Sequence, residues 1–199
     1  GFARKLSMRK GETRKIEAYL SVSPKSENSY PIAPFLDKAW ELADKEYTNY
    51  SNDSVPYQFQ YPSNISTIQL KAIHPDSVGF NIYYPQHNAK IYCTYLTLHN
   101  NFQNIAEDTR RLVYKPHTVK ADAITEQVYQ NDEHKVYGIL YELKGNTASN
   151  IQFVMSDSTK HFLRGALYFN ANPNKDSIAP VVNYIREDII QLNETLEWK

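Results

Sequence analysis

Residues 149–198 read SNIQFVMSDSTKHFLRGALYFNANPNKDSIAPVVNYIREDIIQLNETLEW, two strand-like runs joined by a turn and followed by a long amphipathic helix. Apolar residues recur in the helix at spacings of three and four, which places them on one side of a 3.6-residue repeat. They are Ile178, Val181, Val182, Ile185, Ile189, Leu192 and Leu196. Burying each side chain contributes roughly 1.5–3 kcal/mol, far more than the differences in helix propensity between residue types. We therefore predict a helix over Ser177–Leu196 that is held by docking on the preceding strands.

Further short β-rich runs, bounded by Pro, Asn and Ser, precede this stretch. They are VPYQFQYP at 55–62, STIQLKAI at 66–73, GFNIYYP at 79–85, AKIYCTYLTL at 89–98, AITEQVYQ at 123–130 and KVYGILYELKG at 135–145. Several are joined by short polar connections, such as Gln86-His87-Asn88 and the turn at 131–134. Because parallel neighbours need crossovers of a dozen or more residues, these short turns predict an antiparallel meander.

Two more helices are predicted N-terminal to residue 115. Pro34 suits the first turn of a helix through FLDKAWELADKEY at 35–47. A second helix follows Asn100 or Asn101, either of which can cap it, and ends before Pro116. Its apolar face comprises Phe102, Ile105, Ala106, Thr109, Leu112 and Val113.

These elements together predict the α+β class, an antiparallel β-sheet meander with helices packed on its faces. We divide the chain into a basic, extended and partly flexible N-terminal lead at residues 1–33 and a single α+β domain at residues 34–199. The lead carries Arg4, Lys5, Arg9, Lys10, Arg14 and Lys15. It is interpreted as a solvated arm, or as a cationic segment against anionic headgroups if the protein is lipid-anchored at this end.

Composition excludes several classes of protein. The 22 basic and 22 acidic residues balance, so a nucleic-acid protein driven by phosphate neutralisation is not expected. Cys93 is the single cysteine, so neither an intrachain disulfide nor a cysteine-based zinc cluster can form. No apolar run approaches the roughly 18–20 residues of a membrane helix. The chain begins at Gly1 without a methionine, which is compatible with an export signal upstream.

Motifs that would indicate a cofactor or a metal are missing from the sequence. The six histidines form no HExxH or His-x-x-His ligand pair, and no glycine-rich phosphate loop or GxSxG motif is present. We therefore predict no cofactor, no metal and no enzymatic activity.

One polar cluster, Lys115, His117, Lys120 and Asp122, follows the second predicted helix. In a surface loop these side chains suit binding of a partner or an anion. Equally, His and Lys at a helix C-terminus satisfy the last carbonyls and the macrodipole.

A second cluster, Asp157, Ser158, His161 and Arg164, lies in the turn between the last two predicted strands. Its residue types suit a hydrolytic triad, but Asp and Ser in a turn commonly bond their own backbone. We assign His117, Lys120, Asp122, Asp157, His161 and Arg164 as candidate partner-binding residues, none of them catalytic. In the C-terminal helix, Asp188 is predicted to form a structural ion pair with a strand residue such as Arg164, and Arg186 to lie on the solvated face.

The segments from Val55 to the C-terminus resemble the GldD family of gliding-motility lipoproteins of the Bacteroidetes. The resemblance lies in NAKIYCTY at 88–95, HTVKADAI at 117–124, VYGILYELKGNTAS at 136–149, IQFVMSDSTKHFLRGALYFN at 151–170 and PNKDSIAPVVNYIREDI at 173–189. It implies an exported protein, lipidated on a cysteine that precedes these residues and held at the membrane facing the periplasm. It also implies a part in the gliding apparatus and the associated type IX secretion system. By analogy of element order, the fold is similar to the PsbP/Mog1 type of α/β/α sandwich.

Three hypotheses of function follow. The first is a non-enzymatic envelope lipoprotein that binds other envelope, motility or secretion proteins, a role to which the 16 tyrosines are suited. The second is a periplasmic module that binds a small ligand or a glycan in an aromatic cleft among Tyr57, Tyr61, Tyr83 and Tyr84. The third, a hydrolase using Ser158 and His161, requires an acid behind the histidine.

Overall fold

A computed structural model describes residues 14–16, 40–114, 121–145, 147–170 and 175–199. The strands are β1 (Arg14–Ile16), β2 (Trp40–Leu42), β3 (Tyr47–Ser51), β4 (Tyr57–Pro62), β5 (Thr67–His74), β6 (Ser77–Tyr84), β7 (Ala89–Thr97), β8 (Ala121–Asn131), β9 (Val136–Gly145), β10 (Ile151–Ser156), β11 (His161–Phe169) and β12 (Glu197–Trp198). The helices are α1 (Phe102–Tyr114) and α2 (Lys175–Glu194), and a short 3-10 turn spans Pro85–His87. The predicted α+β class is confirmed.

Seven strands form one antiparallel sheet in the order β5-β6-β7-β11-β10-β9-β8. Strands β5 to β7 make one meander and strands β8 to β11 make another. The two meanders meet where β7 pairs with β11, from Ala89 opposite Phe169 to Thr97 opposite His161. The predicted antiparallel pairing is therefore confirmed, and α1 lies in the connection between the two halves.

The register shows which side chains share a face of this sheet. Phe80, Cys93, Gly165, Phe153 and Leu140 lie opposite one another across β6, β7, β11, β10 and β9. The four with side chains are at most 3% exposed, so this face, called the inner face below, carries the core. The ring of Phe153 lies directly over Gly165, where a Cβ atom would come within 2.3 Å of the ring.

Helix α2 covers the inner face and contacts β2, β4, β8 and β10. Six of the seven residues of its predicted apolar stripe are no more than 6% exposed, and Val182 is half-buried. The predicted docking of this helix is therefore confirmed.

A second, three-stranded sheet of order β12-β4-β3 completes the cover of the inner face. The ring centroids of Tyr57 and Phe80 lie 5.5 Å apart, and those of Phe59 and Phe80 lie 5.9 Å apart. Tyr57 and Phe59 are at most 1% exposed. Aromatic packing thus joins β4 to the large sheet.

Helix α1 packs on the opposite face of the large sheet, called the outer face below. Val113 forms a small buried cluster with Tyr141 and Leu143 of β9. The cluster covers only the β9 side of the outer face, because Tyr92 of β7 remains 43% exposed on the same face. Helix α1 begins directly after Asn101, whose carbonyl accepts the N–H of Ile105, but the Asn101 side chain accepts the N–H of His99, which precedes the helix, so the predicted side-chain cap stays a prediction.

The helix predicted at 35–47 is wrong over the part of it that is described, residues 40–47. These residues form β2, an extended connection and the start of β3. The Lys45 ammonium donates to the carbonyl of Tyr184 at 2.6 Å, and the Tyr184 hydroxyl donates to the carbonyl of Ala43. An extended chain makes these contacts with α2, and such tertiary contacts outweigh the modest helix propensity of the segment.

Strand β1 lies inside the predicted N-terminal lead and pairs with β2, from Arg14 opposite Leu42 to Ile16 opposite Trp40. The remainder of the lead lies outside the described residues. Its boundary with a single domain at residue 34 stays a prediction.

Candidate functional site

The outer face holds an open groove of about 530 Å³ between α1 and strands β7, β10 and β11. The groove forms because α1 reaches the sheet at the β9 side only and leaves the middle strands uncovered. Its lining residues include Tyr92, Thr94, Thr109, Leu112, Gln152, Arg164, Ala166 and Tyr168. We call it the outer groove.

Two tyrosines on neighbouring strands give the outer groove its aromatic surface. Tyr92 and Tyr168 meet edge to face, with ring centroids 5.4 Å apart and an interplanar angle of 78°. The Lys90 ammonium lies 4.6 Å from the centroid of the Tyr92 ring. On the helix side, Leu112 is 54% exposed. Tyr168 itself is half-buried, so the exposed part of this surface is the Tyr92 ring and the Leu112 side chain. Exposed aromatic and aliphatic groups on one surface are features of binding sites.

Arg164 supplies the charge of the outer groove. It lies between Thr94 and Val154 in the sheet register and is half-buried. Within the described ranges, no side chain forms an ion pair or hydrogen bond with its guanidinium. A planar guanidinium in a groove that is also lined by aromatic residues suits a carboxylate or another planar acceptor.

Asp157 organises the turn between β10 and β11. Its Oδ1 accepts the N–H groups of Thr159, Lys160 and His161 at 2.9, 2.8 and 2.8 Å. Burial raises the pKa of this carboxyl, but the hydrogen bonds from those N–H groups outweigh burial, so its pKa is lowered. The Asp157 carboxylate therefore acts as a backbone cap, as expected for an aspartate in a turn.

His161 is a buried structural residue, 5% exposed. Its Nδ1 lies 2.8 Å from the Tyr95 hydroxyl, and its ring stacks on Trp198 at 5.0 Å with an interplanar angle of 7°. Burial lowers its pKa, so the neutral imidazole is favoured.

The triad considered for this turn is not assembled. Ser158 has φ of 64° and its N–H donates to the Ser156 hydroxyl. No hydrogen bond joins the side chains of Ser158 and His161 in the described part of the chain. The partner of the His161 Nδ1 is a phenol, the Tyr95 hydroxyl, and not a carboxylate.

Comparison with known proteins identifies the family of this chain. The family model for gliding motility lipoprotein GldD matches residues 19–198. The chain belongs to the GldD family. The resemblance is thereby confirmed, and the match extends it N-terminally from residue 55. No curated protein and no solved structure matches the chain, so the PsbP/Mog1 analogy stays a prediction.

Membership of the GldD family implies a membrane-anchored component of the cell envelope associated with gliding motility. Among the described residues, no helix has the length and apolar character needed to span a membrane. The same residues contain no cluster of His, Cys, Asp and Glu side chains with metal-binding geometry.

Of the six candidate residues, the four that the structure describes do not meet at one site of this GldD-family protein. His117 and Lys120 lie outside the described residues. Asp122 is exposed at the start of β8, where the register with β9 is interrupted by a bulge. Arg164 points to the outer face, whereas His161, an odd number of positions away on the same strand, belongs to the inner side. Their assignment as partner-binding residues stays a prediction.

The partner predicted for Asp188 is wrong, because Arg164 lies on the other face of the sheet. The Asp188 carboxylate is 2.8 Å from the Lys45 ammonium and accepts a hydrogen bond from the Tyr47 hydroxyl at 2.7 Å. The prediction that Arg186 lies on the solvated face is also incomplete. Its Nε donates a hydrogen bond to Oε1 of Glu142 in β9 at 2.5 Å. The charged residues of α2 therefore fix the helix to its neighbours.

The outer groove itself was not predicted from sequence. Tyr92 and Tyr168 alternate with buried residues along β7 and β11, and this alternation places them on the outer face. That alternation was the available signal, but the pairing of β7 with β11 was needed to bring the two rings together.

Proposed function

We propose that this GldD-family protein is a non-enzymatic lipoprotein that faces the periplasm and acts in a complex of gliding motility and type IX secretion. It binds other envelope proteins of that complex through the outer groove. The observation that supports this most is that the edge-to-face pair of exposed Tyr92 and half-buried Tyr168 lines the same groove as Arg164, on a surface that α1 leaves uncovered. Tyr and Arg are the residue types most enriched at the centres of protein interfaces.

The chemistry of the outer groove indicates the kind of segment it takes. Arg164 offers planar N–H donors to a carboxylate, and the tyrosine rings offer apolar faces with polar tips. A partner segment that combines an acidic residue with an aromatic or aliphatic one fits both features.

The non-enzymatic part of the proposal is supported by the turn at 156–161. The residues that resembled a triad are engaged in backbone capping and core packing, through Asp157 and His161 respectively.

Complementation tests the proposal. In a gliding bacterium that lacks its own copy, the wild-type protein restores gliding and co-purifies other gliding-motility proteins. Arg164→Glu reverses the charge of the outer groove and is expected to abolish both, with unchanged amounts in the envelope. The matched control is Ile73→Glu, which places the same charge at a residue of β5 that is 55% exposed. Full gliding with Arg164→Glu would remove the outer groove from the proposal, and normal gliding without the protein would overturn the proposed function.

A second candidate function, binding of a glycan or small ligand, uses different tyrosines from those predicted. Tyr57 and Tyr84 are at most 1% exposed, so the cleft predicted with Tyr61 and Tyr83 is not formed. The rings of Tyr92 and Tyr168 remain available to a sugar. Calorimetric titration with envelope oligosaccharides separates the two functions, because a glycan module gives saturable heat that Tyr92→Ala removes.

A further inference from the structure

Strand β8 is an edge of the seven-stranded sheet. Among the described residues, β9 is the single strand that pairs with it. Alternate residues of a strand direct their N–H and C=O groups to opposite edges. Half of the main-chain polar groups of β8 therefore point away from β9.

The two edges of the sheet differ in how they are protected. At the other edge, β5 has a register shift between Leu70 and Ala72 in its middle, with Lys71 at the shift. Bulges and lysines of this kind discourage the addition of a strand. In β8 the register shift lies at the N-terminal end, between Ala121 and Ala123. From Ala123 to Asn131 the register with β9 runs without interruption, and this part contains no lysine, arginine or proline. Edge β8 thus retains the geometry of a strand acceptor.

A groove of about 610 Å³ follows the C-terminal half of this edge. It is lined by residues 127–133 and by Val136, Asn193 and Glu194. Val128 points to the outer-face side of the edge and is 74% exposed, the most exposed large apolar side chain among the described residues. We call this surface the edge groove.

Asn193 gives the edge groove an unusual polar group. The residue is 3% exposed, yet neither its Oδ1 nor its Nδ2 has a hydrogen-bond partner among the described residues. Tyr129 also lines the groove, and its buried hydroxyl likewise has no hydrogen-bond partner among the described residues. Buried polar groups in native proteins are nearly always paired. A carboxamide pairs naturally with a peptide unit, because it offers one acceptor and one donor side by side.

The charge of the edge groove is negative. Asp132, Glu133 and Glu194 line it. Of the nearby cations, Arg186 is engaged with Glu142 and Gln127, and Lys135 lies in the β8–β9 turn. A basic segment complements this charge.

We propose that β8 binds an extended basic segment of another envelope protein as an additional strand of the sheet. This inference rests on the proposed function, since the partner belongs to the same envelope complex, but it uses a different surface from the outer groove. The segment pairs with main-chain groups of residues 123–131, places apolar side chains beside Val128, and directs lysines or arginines toward Asp132 and Glu133. Such strand addition takes its affinity from main-chain hydrogen bonds and its specificity from alternate side chains.

Synthetic peptides test the inference on the full chain. The probe is an eight-residue peptide of alternating Val and Thr with lysines at both ends, and its matched partner carries glutamates in place of the lysines. We expect saturable binding of the basic peptide by calorimetry, and slower hydrogen exchange of the amides of residues 123–131. The acidic peptide is expected to bind at least about tenfold more weakly, because its glutamates face the acidic groove.

Variants locate the binding to the edge. Val128→Lys places a lysine on the edge strand, as natural proteins do to prevent strand addition, and its charge repels a basic segment. We expect it to weaken binding of the basic peptide by about tenfold or more. Ile73→Lys makes the same change on β5 and is the control, with binding retained. Equal binding of both peptides, protection on β5 in place of β8, or binding unchanged by Val128→Lys would overturn the inference. Sedimentation showing a wild-type dimer that Val128→Lys dissociates would overturn it in favour of a second copy as occupant. Recovery of gliding proteins without peptide binding would overturn the edge inference alone and leave the proposed function intact.

Discussion

Replacing Lys45 by Met tests how the connection between β2 and β3 is held on α2. The side chains of Lys45 and Asp188 are 9% and 1% exposed, and their charged atoms are 2.8 Å apart. Methionine keeps the length of the side chain and removes its charge, so the buried Asp188 would lose this ion pair and keep the hydrogen bond from the Tyr47 hydroxyl. Removing one member of a buried ion pair costs about 3–5 kcal/mol of stability. We expect a loss of about 3 kcal/mol at pH 7, because the tyrosine still stabilises the carboxylate.

The loss depends on pH in a direction that the structure fixes. Burial raises the pKa of Asp188, and Lys45 acts against that rise. Without Lys45 the folded-state pKa rises further above that of the unfolded chain, which is about 3.9. The folded variant then binds more protons than the unfolded chain over the interval between the two values, so its stability falls as the pH rises through that interval. The cost of Lys45→Met is therefore largest at pH 7 and smaller near pH 4.5.

Urea denaturation at the two pH values, followed by circular dichroism, measures this cost against the wild type. The double variant Lys45→Met with Asp188→Leu removes both charges and should recover much of the stability lost in the single variant. A loss below about 1 kcal/mol at pH 7 would refute the reasoning. So would a loss that is equal at both pH values, or one that the second substitution does not relieve.

Other properties of the core can be checked in the same way. Gly165→Ala should destabilise the protein by about 1–3 kcal/mol, because the new methyl group meets the buried ring of Phe153, and Phe153→Leu in the same chain should restore part of the loss in a thermal melt. Because the pKa of His161 is lowered in the folded protein, the unfolded chain binds a proton more readily, and the free energy of unfolding should fall as the pH drops below about 6.5. His161→Gln should reduce this pH dependence. A His161 pKa above about 6.5 in an NMR titration of the folded protein would contradict the prediction. Asp157→Ala should cost about 1–3 kcal/mol in urea denaturation, since three N–H groups lose their acceptor. Burial raises the pKa of the Cys93 thiol, so it should react with a disulfide reagent only after denaturation, and rapid reaction of the native protein would argue against its burial.

The periodicity of apolar residues predicted most of the helices and strands, because an element that buries one face carries apolar residues at a regular spacing. The stripe of α2 and the alternation in β7 and β11 are examples, and each corresponds to a face that the structure buries. The helix prediction at 35–47 also rested on periodicity, because the spacing of Leu and Ala in this segment fits a helix, and it is wrong for the described residues 40–47. Its conformation is set by contacts of Lys45 and Tyr47 with a helix more than 130 residues away, at separations of 139 to 142 positions, which no local pattern records.

The candidate sites depended on pairings between strands, which sequence reveals poorly. Alternation along β11 would have separated His161 from Arg164, since they are three positions apart. Nothing in the sequence shows that β8 is an edge strand, or that β7 and β11 lie side by side. The outer groove and the edge groove are both consequences of strand order, so they became visible only in three dimensions.

The small sheet of β12, β4 and β3 has a consequence for how the chain matures. Its third strand consists of Glu197 and Trp198, and the N–H of Lys199 donates to the carbonyl of Pro56 at 3.0 Å. Synthesis proceeds from the N-terminus, so β4 can pair with β3 long before its second neighbour, β12, has been made. The ring that stacks on His161 belongs to Trp198, which is likewise made after the strand that carries the histidine. A nascent chain that has not yet reached Glu197 therefore has no β12 beside β4 and no Trp198 ring against the His161 imidazole.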